Sequence, residues 1–557
     1  MRSQPFGRPE RLAALGAMAG QHLDLLVIGG GITGCGLARD AALRGLSVGL
    51  VDKADFASGT SSRSSKLVHG GVRYLAYGDV ALVRESAHER AVLGTIAPHL
   101  VHPLPFVFPL FKGDSTAKMR VGFTMFDRLA NSAPHQRHRM LKAAEVRELV
   151  PAFREPLAGG IRFMEYITDD ARLTLENAMS AAQHGAFVAN YAAVTSFLVE
   201  DGRLVAARVR DELDGVTRDI RAKVVVNATG PWAEATIGLG DSPAPKHVLR
   251  SKGIHLLFRA ERLPLQGAVA LKSPSGREGF AIRRWGYVYV GTSDVAHDGG
   301  LDGPVADRAA VDDVLRMTQD CFPSLGLTAD DVVATWAGLR PLIAEPGKAP
   351  RDTSRHDEVW RSPEGLLSIV GGKLTTYRRM GERVMEHVGR ELGRDLGDSS
   401  RTAVVPLPGA ELGGRAFDAF REATAAALVG RGVSSEAAER ITWLYGAGAE
   451  ELLRLGDADP AWLEPLAPGS AAVRGEVRLA VEQAMALTLA DILDRRTGLL
   501  LFSDDHGLGA APAAAAIATE LLGWSDAEAT AQLDAYRRLA ALHGLTSSDV
   551  AAEVAAI

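Results

Sequence analysis

Asp24-Leu25-Leu26-Val27-Ile28-Gly29-Gly30-Gly31-Ile32-Thr33-Gly34-Cys35-Gly36 is the stretch that decides the fold. The unbroken apolar run from Leu25 to Ile28 suits a parallel strand buried on both faces, and Gly29, Gly31 and Gly34 follow at once in G-x-G-x-x-G spacing. A helix is predicted to start there. Gly29 allows the tight turn, Gly31 leaves no Cβ between backbone and a pyrophosphate, and Gly34 lets the helix pack closely on the strand. Ile32 and Thr33 open the helix, whose N-terminus then faces the phosphates. Glycine spacing alone fits an ordinary turn equally well, so the flanks matter. The helix is predicted to run to about Arg44, and Ser47 to Val51 reads as a second strand. That strand ends in Asp52, an acid roughly twenty residues past the glycines, where a ribose hydroxyl needs an acceptor. Strand, glycine corner, helix, strand and acid together point to an ADP-containing dinucleotide.

The chain of 557 residues is long enough for two or more domains. Its net charge of -6 gives no overall attraction to nucleic acid, so any basic function must be local. Cys35 and Cys321 are the only cysteines, which excludes a disulfide framework and a thiolate metal site and fits a reducing compartment. Cys35 is read as a small apolar residue inside the first helix. At the N-terminus Arg2, Arg8 and Arg11 precede a short apolar run with Ala17-Met18-Ala19, which resembles a signal peptide. Glu10 interrupts the basic region and the first strand begins close behind, which favours a short surface helix. No run of roughly eighteen strongly apolar residues exists, and the Ala-rich segment near 510–518 is broken by Pro512, so nothing is expected to span a bilayer.

After the second strand comes a hydroxyl-rich loop, Ala57 to Lys66, leading into Leu67-Val68-His69-Gly70-Gly71-Val72-Arg73-Tyr74-Leu75. Such loops often only solvate a surface; here the loop could cross a bound dinucleotide with N–H and hydroxyl donors. Residues 79–96 read as an amphipathic helix. From Pro103 to Arg147, Phe106, Phe108, Phe111, Met119, Phe123, Met125 and Phe126 are interleaved with Lys112, Lys118, Arg120, Arg128, Arg137, Arg139 and Lys142. Two readings are open: a membrane-interface segment, or a core-facing helix with a solvated basic face. Strand signals follow at 186–189, 193–200, 204–211 and 217–227, the last ending in Asn227-Ala228-Thr229-Gly230-Pro231-Trp232. The dinucleotide fold is thus completed late, around insertions. A second strand-rich insertion spans 247–294, with a polar loop from Ser293 to Asp307, and Leu366 to Val370 enters Gly371-Gly372-Lys373-Leu374-Thr375-Thr376-Tyr377-Arg378. Residues 394–414 look like a boundary. Beyond it, helix signals include Asp459 before Pro460, a capping box at Ser525 and Glu528, Thr546 to Asp549, and the helical spacing of Val473, Val477, Ala480, Val481, Ala484 and Leu487.

Three turns bring basic groups beside this scaffold: His69 with Arg73 and Tyr74, Arg340 within Ala337-Gly338-Leu339-Arg340-Pro341-Leu342, and Lys373. A single Arg is usually a surface ion-pair residue; several around one pocket make an anion site, because guanidinium matches phosphate or carboxylate oxygens in bidentate fashion. No H-x-x-x-H or carboxylate cluster suggests a metal, and no G-x-S-x-G suggests acyl transfer. Cofactor redox chemistry on an anionic substrate remains.

At these residues the chain resembles the FAD-dependent glycerol-3-phosphate dehydrogenases over nearly its whole length. The segments are Val27 to Gly34, Thr60-Ser61-Ser62 through Ser64-Ser65-Lys66-Leu67-Val68-His69-Gly70-Gly71-Val72-Arg73-Tyr74-Leu75, Asn227 to Trp232, and Gly371 to Arg378; the second and fourth are long and specific. Thr488, Asp491 and Arg495-Arg496-Thr497 are similar to that family's C-terminal signature. One departure is visible: Ile254, in Ser251-Lys252-Gly253-Ile254-His255, stands where the family often has Ser or another small residue. The resemblance implies an α/β FAD-binding Rossmann-like domain of the glutathione-reductase and D-amino-acid-oxidase type (about 20–95, 170–245 and 335–395). It implies an interleaved strand-rich substrate domain (about 96–169 and 246–334) and an all-helical C-terminal domain, 401–557. It further implies FAD held by Gly29, Gly31, Ile32, Thr33, Gly34, Asp52, Thr60, Ser61, Ser62, Ser64, Ser65, Lys66, Leu67, His69, Gly70, Gly71, Ala228, Thr229, Gly230, Gly372, Lys373, Leu374 and Thr375.

The implied substrate is sn-glycerol 3-phosphate, the product dihydroxyacetone phosphate and the acceptor a membrane quinone, in a dimer attached peripherally to the cytoplasmic face of the inner membrane. Hydride would pass from substrate C2 to flavin N5 while a base removes the hydroxyl proton. His255 is the first choice of base, since imidazole titrates near neutral pH; the alternative is a histidine satisfied in the core. The family pattern places Arg340 with Arg355 at the substrate phosphate, Lys373 at the developing alkoxide or the reduced flavin's negative charge, and Arg73, Tyr74 and Thr375 around them. Two rivals are an oxidase passing electrons to oxygen, and a non-catalytic flavin-binding sensor, which would not require His255, Arg340, Arg355 and Lys373.

Overall fold

The computed structural model describes residues 4–72, 78–240, 242–345, 355–397 and 401–544. Its first sheet runs, in spatial order, Asp357–Arg361, Leu367–Gly371, Thr217–Asn227, His22–Ile28, Val48–Val51, Phe187–Ala189, with Ala192–Glu200 and Arg203–Asp211 continuing antiparallel from Thr217–Asn227. The His22–Ile28 strand lies between two parallel neighbours, with Val27 opposite both Val226 and Leu50. Its side chains alternate between two cores. Leu25 and Val27 pack under the Ile32–Leu43 helix with Leu37, Ala38 and Ala41, while Leu26 and Ile28 pack on the other face with Leu15, Met18 and Ile220. Covering on both faces is why the strand is apolar without alternation. Cys35 is buried in the first of these cores.

The Arg8–Ala19 helix is docked rather than superficial, which corrects the surface reading: Arg11 is buried, donating to the Asn190 and Tyr191 carbonyls and pairing with Asp211 at 2.6 Å. Glu10, the residue that breaks the basic run, accepts from the Gly7 N–H and closes the helix start.

The second sheet is ordered Val295–Ala296, Val248–Arg259, Tyr287–Gly291, Glu278–Arg284, Ala268–Lys272, His102–Phe111, Leu157–Ile167, Leu67–Val68, with Val332–Ile343 added along Val248–Arg259. The aromatic and basic stretch is therefore not one helix. Its first third is the His102–Phe111 strand, and only Thr116–Leu129 forms a helix of any length, followed by Arg139–Leu141 and Ala143–Leu149. Paired on both sides within a sheet, residues 102–111 gain interstrand bonds that local periodicity cannot report.

From Phe417 to Ala541 the described chain is helical. Ser525 Oγ accepts from the Glu528 N–H while the Glu528 carboxylate accepts from the Ser525 N–H, and Asp459 accepts from the Ala461 N–H. Val477, Ala480 and Val481 are buried against Leu501, Ala514 and Ala518. Thr546 to Asp549 lie outside the described residues.

Candidate active site

The parallel strands His22–Ile28 and Thr217–Asn227 end side by side, with Ile28 opposite Asn227, so Gly29 and Ala228 start the same edge of the sheet. Gly29 has φ +111°, a conformation that excludes a side chain, and a Cβ on Gly34 would overlap the Gly29 carbonyl oxygen. From this corner a single cavity of about 1210 Å³ runs under the hydroxyl-rich loop and across to the second sheet.

Of the expected cofactor residues, Gly29, Gly31, Ile32, Thr33, Asp52, Thr60, Ser61, Ser64, Ser65, Leu67, His69, Ala228, Thr229, Gly230, Gly372, Lys373, Leu374 and Thr375 line the cavity. Five others stand behind that lining. Gly34 is sealed behind Gly29; Ser62 Oγ accepts from Arg63; buried Lys66 pairs with Asp170 at 2.5 Å. The Gly70 N–H donates to Glu165, and Gly71, with φ +78°, leads into Val72, which lines the cavity again. These residues build the wall from behind. Arg73 and Tyr74 lie outside the described residues.

Asp52 accepts from the Gly30 N–H (2.5 Å) and the Ala54 N–H (2.8 Å), and burial pushes its carboxyl up to about 6. The residues fit a bound dinucleotide. The glycine corner leaves space where any side chain would intrude, and the indole Nε1 of Trp232 is buried in the cavity wall with no partner among the described residues. A buried donor without an acceptor is costly unless a ligand or water supplies one.

At the far end the second sheet brings His255 and Arg340 to the cavity wall. His255 sits on Val248–Arg259 with Gly291 opposite on one neighbouring strand and Trp336 opposite on the other. Any Cβ at Gly291 would collide with the imidazole, whereas the Trp336 ring stacks on it at 4.7 Å and 13°. Its Nε2 lies 3.0 Å from Ser65 Oγ, and its Nδ1 is buried with no partner among the described residues. Burial first, then the charges of Arg340 and Lys66, hold His255 well below the usual imidazole range, so it is neutral at pH 7.

Arg340, opposite Ser251 in the strand register, occupies the space left by the missing side chain of Gly253. It donates to Thr292 Oγ1 (2.8 Å) and the Ser293 carbonyl (3.1 Å) and lies 3.5 Å from Asp294. Arg355 approaches the same carboxylate at 3.1 Å, and Ser251 Oγ donates to it as well. Two guanidiniums thus meet over one acid at the cavity wall.

Lys373 stands immediately before the Leu374–Thr376 turn and the Tyr377–Leu392 helix. Burial, with Arg355 nearby, lowers its ammonium to about 7. His69 is held down at about 3 by burial and by Lys373, Arg90 and Arg355, so it too is neutral. The N–H of Ile254, the departure noted in the sequence, donates to Ser293 Oγ, so the local hydrogen bond comes from a neighbouring strand end. Lys252 turns away from the cluster to pair with Asp307 at 2.5 Å.

Sequence reasoning missed several wall residues. Glu165, accepting from the Gly70 N–H and Arg90, fixes the segment that carries His69; its only signal is a carboxylate at an inward position of an apolar strand. Asp294 lay inside what read as a polar loop. The aromatic arm formed by Phe106, Phe108, Met119, Phe123, Phe163 and Phe280 belongs to the same cavity, and Arg63, Asp494 and His543 reach it from positions without a local motif.

Comparison with known proteins agrees with this geometry. The family described as FAD dependent oxidoreductase matches residues 24–378, and the C-terminal domain of alpha-glycerophosphate oxidase matches residues 400–529. The chain is 38% identical to an aerobic glycerol-3-phosphate dehydrogenase of Bacillus subtilis over 512 residues, covering 90% of this chain and 92% of the relative. It is 37% identical to that of Staphylococcus aureus over 523 residues, covering 92% of each. Among solved structures, the glycerol-3-phosphate dehydrogenase of Bacillus halodurans complexed with FAD superposes with a TM-score of 0.80 at 35% identity, covering 96% of this chain and 97% of that one.

Proposed function

The chain belongs to the FAD-dependent oxidoreductases and, within them, to the family of the aerobic glycerol-3-phosphate dehydrogenases, and from that premise we propose that it oxidises sn-glycerol 3-phosphate to dihydroxyacetone phosphate and passes the electrons to a membrane quinone. The observation that carries this reading is the meeting of His255, Arg340, Arg355 and Lys373 in the cavity that begins at the glycine corner. Bound FAD supplies the acceptor for the hydride that leaves C2. The protein supplies the rest. Arg340 and Arg355 hold the phosphate by charge-assisted hydrogen bonds, with Asp294 keeping the two guanidiniums apart and oriented. Neutral His255 takes the C2 hydroxyl proton, and protonated Lys373 stabilises the negative charge that develops on the oxygen. Leu67, His69 and Thr375 complete the walls, and Arg73 and Tyr74 are assigned to the same pocket through the family pattern alone.

A quinone acceptor is supported by the aromatic arm of the cavity, which reaches Met119 and Phe123 on the Thr116–Leu129 helix. The outer side of that helix exposes Val121 (68%) and Met125 (42%) beside Lys118, Arg120 and Arg128, a composition suited to an anionic lipid surface. Among the described residues no helix is long and apolar enough to cross a membrane. Peripheral attachment at the cytoplasmic face, and the dimer, complete the proposal. The second reading, an oxidase using oxygen, is kept because the C-terminal match is to an oxidase family.

Anaerobic addition of sn-glycerol 3-phosphate to the holoenzyme is expected to bleach the flavin absorbance, whereas glycerol and lactate leave it unchanged. No bleaching by the phosphorylated substrate would remove the assignment. With oxygen and no quinone, stoichiometric peroxide would select the oxidase. Lys373 is expected to impose a pH dependence. Its ammonium, lowered to about 7, is charged below that pH and neutral above it, so kcat/KM should decline as pH rises through about 7. Lys373→Arg, which stays charged, should move that decline to higher pH; an identical profile in the variant would exclude Lys373 as its source.

A further inference from the structure

We propose that the C-terminal helical region is part of the cofactor site, holding the hydroxyl-rich loop in its binding conformation through the pair Asp494 and Arg63. The loop lines the cavity through Thr60, Ser61, Ser64 and Ser65, yet it has little apolar packing of its own and depends on polar anchors. Several of these lie within the two-sheet body. Ser61 Oγ accepts from the Ile32 N–H at the glycine corner, Thr60 Oγ1 donates to the Leu339 carbonyl, and Ser64 and Lys66 bind Asp170. Another comes from 431 residues away: Arg63 forks onto Asp494, Nη2 to Oδ2 at 2.7 Å and Nη1 to Oδ1 at 3.2 Å.

Asp494 is itself fixed. Arg495 donates to it at 3.0 Å and also pairs with Asp55, just ahead of the loop, at 2.7 Å and with Asp491 at 2.6 Å. Arg496 forks onto the same Asp55. Burial opposes ionisation of Asp494, yet Arg63 and Arg495 hold its carboxyl far below the ordinary range, so the pair stays charged. Asp494, Arg495, Leu539, Leu542 and His543 contribute directly to the cavity wall, and His543 grips Thr335, the neighbour of Trp336, through its ring Nδ1 and its own carbonyl. A region that only decorated the enzyme would not supply wall residues or an ion pair to the loop under which the dinucleotide lies.

Asp494 is therefore a positioning residue: it orders the loop before FAD arrives, which lowers the cost of binding. The test follows FAD release from full-length holoenzyme after dilution, read as the rise of free flavin fluorescence. Asp494→Asn and Arg63→Gln should each accelerate release at least about tenfold, and the double variant should be no more than about threefold faster than either, because the two residues act as one unit. A role in folding alone predicts a lower melting temperature with unchanged release. Release within threefold of the parent in Asp494→Asn, or losses that multiply in the double variant, overturns the proposal. If Asp494→Asn does not fold, Arg63→Gln carries the same measurement, and unchanged release there is equally decisive.

Discussion

His255→Ala lowers the turnover of sn-glycerol 3-phosphate by about 10²–10⁴-fold, the range expected when a positioned proton acceptor is removed. FAD content and KM should stay within about threefold of the parent, because among the described residues His255 has no hydrogen bond to the glycine corner or to Arg340 and Arg355, the guanidiniums proposed to bind phosphate. The ring's surroundings hold it in place. Gly291 gives the imidazole room, Trp336 stacks on it, and Ser65 holds Nε2, so the ring has one orientation. Its pKa is depressed by burial and by Arg340, which leaves it neutral and ready to accept throughout the physiological range. A neutral imidazole in this setting is a weak base until the positive field changes. On the proposed reading an incoming phosphate offsets the contribution of Arg340 and raises the basicity in part, the larger effect of burial remaining. Stopped-flow flavin reduction under anaerobic conditions checks this directly. An undiminished reduction rate would return His255 to the role of a packed core residue and reassign the base.

The second large effect is expected at Arg340. Replacement by alanine removes up to two charge-assisted hydrogen bonds to the phosphate, each contributing roughly 1.5–3 kcal/mol, so kcat/KM should fall at least about tenfold for each bond lost. Because these bonds exist in ground and transition states alike, most of the loss should appear in KM. FAD remains bound, since the guanidinium sits at the second sheet, away from the glycine corner. Arg340→Lys should fall between parent and alanine variant, retaining the charge but not the planar fork. Loss of Arg340 also leaves Arg355 as the one guanidinium on Asp294 among the described residues, beside the Ser251 hydroxyl, so it is held more tightly by that carboxylate and compensates poorly. Steady-state kinetics with sn-glycerol 3-phosphate decide the matter; parameters equal to the parent's would take Arg340 out of the substrate site.

How much was legible in the chain depends on the range of the interaction. Leu25 to Ile28, the glycines and Asp52 form a run in which each residue's role is set within about thirty residues, by strand periodicity and by the space a Cβ would need, so the βαβ corner could be read directly. The strands at 187–227 and the capping box at Ser525 are local in the same sense. The His102–Phe111 strand was not, because its alternation is blurred by prolines and by burial on a sheet whose partners, residues 157–167 and 268–272, lie far along the chain.

The same division runs through the site. The sequence by itself determined that a dinucleotide corner exists, that the FAD-binding and helical regions follow, and that basic residues occur in three separate turns, because these features are written in steric and hydrophobic patterns between near neighbours. Tertiary structure alone decided that His255 is pinned between Gly291 and Trp336, that Asp294 lies between Arg340 and Arg355, and that Asp494 closes on Arg63. Those pairings depend on the register of strands and on helices docking across hundreds of residues, and register is chosen by the cooperative burial of the whole sheet rather than by any one segment.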